Sequence, residues 1–452
     1  MRKILIIAIL TGLGAPGLYA QTDSLWTLDR CVEQAIAYNL DVKRQELMLQ
    51  SASQDVRQSK MNLLPNLNGS LEHQLGSGRV LDRGTYEWKD ASVSQGDLGL
   101  QSELTLFDGL QGLNNMKMSK ASYLMNLEDL AAMEDNLTLN VMTNYLNLLR
   151  NQELVEVAEL NVEITGKQVE RMERLVEVGN EARGKLLEVK AQLSAAELTR
   201  TQAVNTMEIS KLNLMHLMNI TDPVAFVIEK PLFPEPSLED IPLLDSVFQY
   251  ALINLPQIKS AEHGIEAQKR FLSVQQGNRS PRIYARGVLY TNYSDGLMHP
   301  LDPDPNNPSM DYPISEQVTN NQYKQVAMGI QIPFFNRWLV QTSINKAKIN
   351  LQDAEYQYSN TVLELQKSIQ QYHAEALASL DNYKSAQESV ANSDEVFRFA
   401  DERFRVGTGT ALELQEARKQ LFESTSEMIT SRYVLIFYSK ILDFYMGKEI
   451  IF

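Results

Sequence analysis

The sequence predicts a mainly helical α+β membrane protein in which one unit, helix, β-hairpin, long helix, shorter helix, is used twice. Three observations carry that expectation: long runs free of Gly and Pro, short period-two segments lodged between them, and matches between the two halves at fixed offsets. Leu113 to Thr165, Phe334 to Val406 and Ala411 to Met446 contain neither Gly nor Pro, the residues that helix interiors exclude. In the longest run, Val340, Ile344, Ala347, Leu351, Ala354, Tyr358, Val362, Leu365, Ile369, Tyr372, Ala376, Leu380, Tyr383, Ala386 and Val390 form one stripe. Its mean spacing of about 3.57 residues lies between a straight helix and a left-handed coiled coil. A helix there would be roughly 100 Å long, several times a bilayer core.

In chain order, residues 1–20 read as a signal peptide: Arg2 and Lys3 precede the apolar run Ile4 to Leu10, and Ala20 precedes Gln21. Its removal takes the formal net charge from −15 to −17, since two cations and no anion leave. The first copy spans 21–220. It opens with a helix from Thr27 to Pro65 and continues through a hairpin at about 66–107, a long helix at about 109–177 and a turn at 178–184. The Pro-rich stretch 221–242 is a linker. The second copy, 243–452, carries its hairpin at about 282–334, its long helix at about 337–405 and its turn at 406–411. Leu98, Leu100, Ser102, Leu104 and Leu106 alternate with Gly99, Gln101, Glu103 and Thr105, and Val326, Met328, Ile330 and Ile332 alternate with Ala327, Gly329 and Gln331. Each strand of about ten residues suits a tilted membrane crossing, with polar loops expected at Gly76 to Gln95 and Ser294 to Asn321. Pro65 and Pro281 match at an offset of 216; Phe107, Val178-Gly179 and Gln192-Leu193 match Phe335, Val406-Gly407 and Gln420-Leu421 at 228.

Composition removes several classes of function. With 57 acidic against 42 basic residues, the chain lacks the clustered cations that nucleic acid requires. A single cysteine, Cys31, permits no internal disulfide and no cysteine-based zinc site; on an apolar helix face, it reads as a buried small hydrophobe. The five histidines never fall at metal-ligand spacing, and no P-loop, GxSxG or dinucleotide fingerprint occurs. Neither a cofactor nor an enzymatic activity is expected. No segment of the mature chain is long and apolar enough for a membrane helix.

Four strands with one apolar face cannot close a barrel, and an open edge in lipid leaves backbone groups unpaired. Several protomers must therefore pool their strands, and three copies would give twelve. One of the long helices carries Glu364, Lys367, Glu375, Asp381 and Lys384, so these helices must project away from lipid and bury their stripes against one another.

The Thr27 to Pro65 segment ending Leu63-Leu64-Pro65, the run Leu106-Phe107-Asp108-Gly109, and Phe404-Arg405-Val406-Gly407-Thr408-Gly409 with Glu413 and Glu416 beyond it resemble the TolC-like outer-membrane efflux family. The resemblance spans about Thr27 to Met446. It implies a homotrimer with a twelve-stranded β-barrel in the outer membrane of a Gram-negative bacterium, continued by a twelve-helix α-barrel through the periplasm. It further implies docking onto a periplasmic membrane-fusion (adaptor) protein and an inner-membrane transporter, in tripartite efflux or type I secretion. The alternative is a periplasmic coiled-coil adaptor or scaffold without a pore.

The turns at Val178-Gly179 and Val406-Gly407, with Gly409, are the expected helix-hairpin tips, where glycine suits a left-handed C-cap. By resemblance they form the periplasmic mouth and adaptor contact, and Glu413 and Glu416 form carboxylate rings in the aperture, whose converging charge would favour cations. The chain departs from the family at three positions: Phe404 and Gly409 stand where Tyr and Arg are common, and Lys185 where an acid is. Lys185 is read as pairing with Glu413 or Asp401 of an adjacent tip. The terminal Phe452 suggests a barrel terminus; Tyr290 and Tyr293, where a strand meets its loop, and Tyr86 and Trp88, within the first loop, suggest an interfacial aromatic belt, with ordinary loop packing as the alternative, above all for Tyr86 and Trp88.

Overall fold

A computed structural model describes residues 25–81, 86–222, 226–231, 233, 241–302 and 310–448. The expected signal peptide and the terminal Phe452 lie outside them. Nine helices and four strands run α1 (Leu28–Tyr38), α2 (Leu40–Met61), β1 (Asn68–Leu81), β2 (Trp88–Phe107), α3 (Gln111–Glu177) and α4 (Arg183–Leu217). They continue α5 (Leu244–Asn254), α6 (Pro256–Gly277), β3 (Arg282–Ser294), α7 (Ile314–Asn320), β4 (Tyr323–Gln331), α8 (Leu339–Arg405) and α9 (Ala411–Tyr445) among the described residues.

The helices recur in length. α1 and α5 have 11 residues each, α2 and α6 have 22, α3 and α8 have 67, and α4 and α9 have 35. Every member of the α8 stripe is buried or half-buried. α3 packs on α4 and α8 on α9 as long antiparallel hairpins, and α6 lies between α3 and α8.

The helix expected from Thr27 to Pro65 is two helices. Asn39 takes an extended conformation (φ −64°, ψ 131°) and caps both. Its N–H donates to the Ala35 carbonyl at the end of α1, while its Oδ1 accepts from the Asp41 N–H at the start of α2. Its Nδ2 also donates to the Leu217 carbonyl at the end of α4. In the second half Leu255 adopts the same angles (φ −65°, ψ 133°). There the cause is Pro256 at the first helical position, which excludes the residue before it from the helical region.

The strands form one antiparallel sheet in the order β1-β2-β3-β4. Its register assigns the two faces. One carries Leu71, Leu98, Leu100, Leu104, Leu289, Val326, Met328 and Ile330; the other carries Glu72, Asp97, Gln101, Glu103, Arg282, Arg286 and Gln331. Much of the apolar face is exposed, Val326 to 88% and Leu71 to 74%, while α7 covers it at Thr291. The polar face is cross-linked, Arg282 to Glu103 at 2.9 Å and Arg286 to Gln101 at 2.7 Å. β1 and β4 are the outer strands, each with one unpaired edge among the described residues.

The loop expected from Gly76 to Gln95 is mostly strand, because β1 and β2 pair on from Gly76↔Val93 to Leu81↔Trp88. Ser and Gly there have the composition of a loop, but the ladder satisfies the backbone, and polar side chains suit both faces of a ribbon in water. Trp88 thus opens β2 rather than lying in a loop. Tyr290 points to the polar face, where its hydroxyl donates to Asp97. Tyr293, on the apolar face, stacks on His73, with its hydroxyl 3.0 Å from the ring Nδ1.

The two long helices begin two residues later than expected, at a shared backbone device. Gly109 and Leu110 before α3, and Arg337 and Trp338 before α8, are consecutive left-handed residues with φ of 70°, 66°, 55° and 65°. This double kink turns strand into helix, and three non-glycines adopt it at some strain.

The main core lies where α1, α3, α4 and α9 meet, around Val141, Met142, Tyr145, Leu149, Leu214 and Met218. Tyr145 donates its hydroxyl to the carbonyls of Trp26 and Glu229, holding the Trp26↔Ile228 bridge onto α3. Cys31 is fully buried in this core, and burial pushes its thiol up to about 12, leaving it unreactive. No described helix is long and apolar enough to cross a membrane.

Candidate functional site

The two tips close with the same hydrogen bonds. At the end of α3 the Asn180 N–H donates to the Leu175 carbonyl at 2.9 Å and the Gly179 N–H to the Val176 carbonyl at 3.1 Å. At the end of α8 the Thr408 N–H donates to Arg403 at 2.9 Å and the Gly407 N–H to Phe404 at 3.2 Å. This is the Schellman pattern, with Val178 and Val406 as C-caps and glycine left-handed one position on. Gly179 has φ 77° and Gly407 φ 82°. Nothing would touch a Cβ at either, so backbone conformation alone calls for glycine. Gly409 differs: its N–H donates to the Arg403 carbonyl, and a Cβ would lie 3.0 Å from the Phe404 nitrogen. Here close approach calls for glycine.

The two following helices start differently. α9 begins with a capping box, the Thr410 side chain accepting from the Glu413 N–H and the Glu413 carboxylate from the Thr410 N–H. Arg403 lies 3.5 Å from the same carboxylate. Glu413 therefore closes its own tip, and Glu416 stands exposed one turn further on. α4 lacks a side-chain cap. Lys185 reaches back to Glu181 at 2.8 Å, its partner within the chain, and Lys190 ties α4 to Glu173 of α3 at 2.8 Å.

Phe404 joins the two hairpins. Its ring packs from α8 against Val169 and Met172 of α3 and Val189 of α4, under the Arg171 guanidinium 5.4 Å away. Having no hydroxyl, it makes this contact by packing alone. Beside it lies a small enclosed cavity lined by Gln168, Met172, Val189, Gln192, Phe404 and Leu414.

Arg418 belongs to this site and was not singled out from sequence. It is 8% exposed, donates to Gln168 of α3 at 2.6 Å and lies 3.4 Å from the Gln192 oxygen of α4. Gln192 in turn donates to Gln415 of α9 at 2.5 Å. Burial lowers the Arg418 pKa, and no carboxylate offsets it. The signal was present: Arg418 follows Leu414 and Ala417 on the buried face of α9, where a cation is out of phase. Fourteen residues on, Arg432 meets Glu153 of α3 at 2.5 Å, and Tyr433 donates to the same carboxylate at 3.1 Å.

Among known proteins, the profile of the family described as "Outer membrane efflux protein" matches residues 31–219 and 247–447. The solvent efflux pump outer membrane protein SrpC of Pseudomonas putida is 25% identical over 422 residues, covering 90% of this chain and 82% of that protein. Outer membrane protein TolC of Escherichia coli is 20% identical over 452 residues, covering 96% and 84%. Two solved structures share the fold, VceC of Vibrio cholerae (TM-score 0.76, 16% identity, 94% of this chain and 97% of that one) and CmeC of Campylobacter jejuni (0.76, 18%, 99% and 95%). Because the profile takes in both halves, each with its pair of strands and its long helix hairpin, the chain belongs to the outer membrane efflux protein family.

Proposed function

We propose that this protein is the outer-membrane exit duct of a tripartite efflux or type I secretion system, passively conducting cargo delivered by an inner-membrane transporter and a periplasmic adaptor. The sheet carries the reading. It is four strands wide, apolar on one face and polar and cross-linked on the other, with both outer edges unpaired among the described residues. In lipid such edges need partners, and three copies of a four-stranded sheet give a closed barrel of twelve strands. In this assembly the polar face lines the lumen and the apolar face meets lipid. The helix hairpins α3–α4 and α8–α9, read as the equivalent parts of two copies spanning 21–220 and 243–452, continue the wall into the periplasm. Their tips form its mouth and the surface that meets the adaptor, through Val178, Gly179, Val406, Gly407 and Gly409. Glu413, Glu416, Lys185 and Phe404 lie at the aperture.

The test is fractionation followed by cross-linking and planar-bilayer recording. Heat-modifiable trimers in the outer membrane that form ion-conducting pores are expected. A monomer recovered from the periplasm and silent in bilayers would support a scaffold or adaptor instead.

A further inference from the structure

The two hairpins of the sheet are paired in one register. Adding 216 to a β1 residue and 228 to its β2 partner turns every pair from Asn68↔Gln101 to Gln74↔Gln95 into a β3–β4 pair, from Tyr284↔Gly329 to Tyr290↔Tyr323. The same offsets carry α2 onto α6 and α3 onto α8. The hairpins are therefore interchangeable, and the β2–β3 junction shows how the second strand of one meets the first strand of the other. Exchanging the hairpins in that junction specifies the one junction missing among the described residues, β4 with β1.

Applied to Leu98↔Thr291, Leu100↔Leu289 and Ser102↔Gly287, the exchange sets Val326 beside Leu75, Met328 beside His73 and Ile330 beside Leu71. All six lie on the apolar face of the sheet, and Leu75, like Val326, is bare in the single chain at 79% exposed. Gly96↔Tyr293 becomes Lys324 beside Ser77. The apolar rows of the two strands then stop at one level, since Ser77 and Arg79 follow Leu75 on this face of β1 and Lys324 precedes Val326 on β4. Neighbouring registers are worse. A slip of one residue turns one strand's apolar side chains to the polar face. A slip of two sets Lys324 beside Leu75 in one direction and beside Arg79 in the other, where like charges oppose each other.

The helices answer to the same exchange. α6 packs along α3: Ser260 donates to Asp129, Gly264 faces Met125 and Gly277 meets Gly109. Within that span Ala121 of α3 is buried. At the equivalent place on α8, 228 residues on, Ile349 is 65% exposed. The exchange covers it with the counterpart of α6, which is α2 of another subunit, and α2 leaves Met48 and Met61 exposed.

We propose that β4 of one subunit and β1 of the next pair antiparallel in this register, with Val326 beside Leu75, so that a second molecule of this chain occupies each open edge. The proposal rests on the duct reading above and names the contacts that close its ring.

Disulfide trapping in the full-length protein, in its outer membrane, tests it. Directly opposed residues have Cα atoms about 4.5–5.5 Å apart, within disulfide reach, whereas diagonal ones lie about 7–8 Å apart, beyond it. The native Cys31 is buried, so the introduced thiols are the ones that respond. On oxidation L75C/V326C is expected to yield covalent trimers under denaturing conditions, and L71C/I330C likewise. Each single variant, and the offset pairs H73C/V326C and S77C/V326C, should run as monomers. Should L75C/V326C fail to assemble, L71C/I330C decides alone. Linkage through an offset pair in place of L75C/V326C overturns the register, as does the failure of both predicted pairs in a protein that conducts in planar bilayers. An unmodified protein that is monomeric and never conducts overturns the duct reading instead.

Discussion

Gly109 and Gly277 meet backbone to backbone where β2 turns into α3. A Cβ on Gly109 would lie 2.6 Å from the Gly277 carbonyl oxygen, and one on Gly277 2.8 Å from the Gly109 carbonyl oxygen. The end of α6 is thereby pressed against the elbow that aims the longest helix of the first half.

Substitution at this contact should destabilise the fold. G277A is expected to lose about 1–3 kcal/mol by overpacking. G109A should lose about 1 kcal/mol more, since Gly109 also has φ 70°. At the matching elbow, Arg337 has φ 55°, so R337G should relieve left-handed strain and gain up to about 1 kcal/mol. Thermal melts of the three variants decide; equal melting of G277A and the unmodified protein would remove the close contact.

At the second tip, two glycines answer to different constraints. G407N should change stability by only a few tenths of a kcal/mol, because Asn tolerates the left-handed region, while G407A should cost about 1 kcal/mol. G409A meets the Phe404 backbone instead, and Asn, being larger, should be no better there. Hydrogen exchange over residues 403–413 separates the two patterns.

Glu413 has a capping role and a proposed aperture role, and one pair of variants separates them. E413A removes the box and should cost about 1 kcal/mol and fray α9. E413Q keeps a side chain able to accept from the Thr410 N–H and removes the charge. It should retain the helix start while reducing cation selectivity in bilayers. If both variants conduct with unchanged selectivity, Glu413 is a cap alone.

Asp135, half-buried on α3, is pushed up to about 6 by burial and by neighbouring Glu134. The folded chain thus holds this proton more tightly than the unfolded chain does. Its contribution is fully present below the ordinary carboxylate pKa and is lost as pH rises through about 6. D135N should therefore stabilise by about 1–2 kcal/mol at pH 8, after discounting for solvent screening, and change little at pH 4. A melt difference of the same size at both pH values would refute the assignment.

Much of this architecture could be read from periodicity. Val340 to Val390 repeat at helical spacing because each turn must return to the same seam, and all of them are buried or half-buried. The β4 alternation survives because Val326, Met328 and Ile330 share one face of the sheet. What escaped depends on neighbours. Asn39 ends one helix and starts the next partly through the Leu217 carbonyl, 178 residues away. Ser77 and Ser92 look like loop until their cross-strand pairing is known. At the tips, Gly179 and Gly407 were legible because a left-handed C-cap is a local demand. Arg418 stood out of phase beside Leu414 and Ala417, but its partners Gln168 and Gln192, 250 and 226 residues distant, were not legible.

The matched lengths of α3 and α8, 67 residues each, and of α4 and α9, 35 each, restrict how such a molecule can change size. One extra residue in α3 alone would lower its tip by about 1.5 Å and turn it by about 100°, rotating Gln168 away from Arg418. Deepening or shortening the shaft therefore demands simultaneous insertions or deletions in four helices, in whole repeats of the seam. Loops at the outer surface face no such restriction and are free to vary one residue at a time.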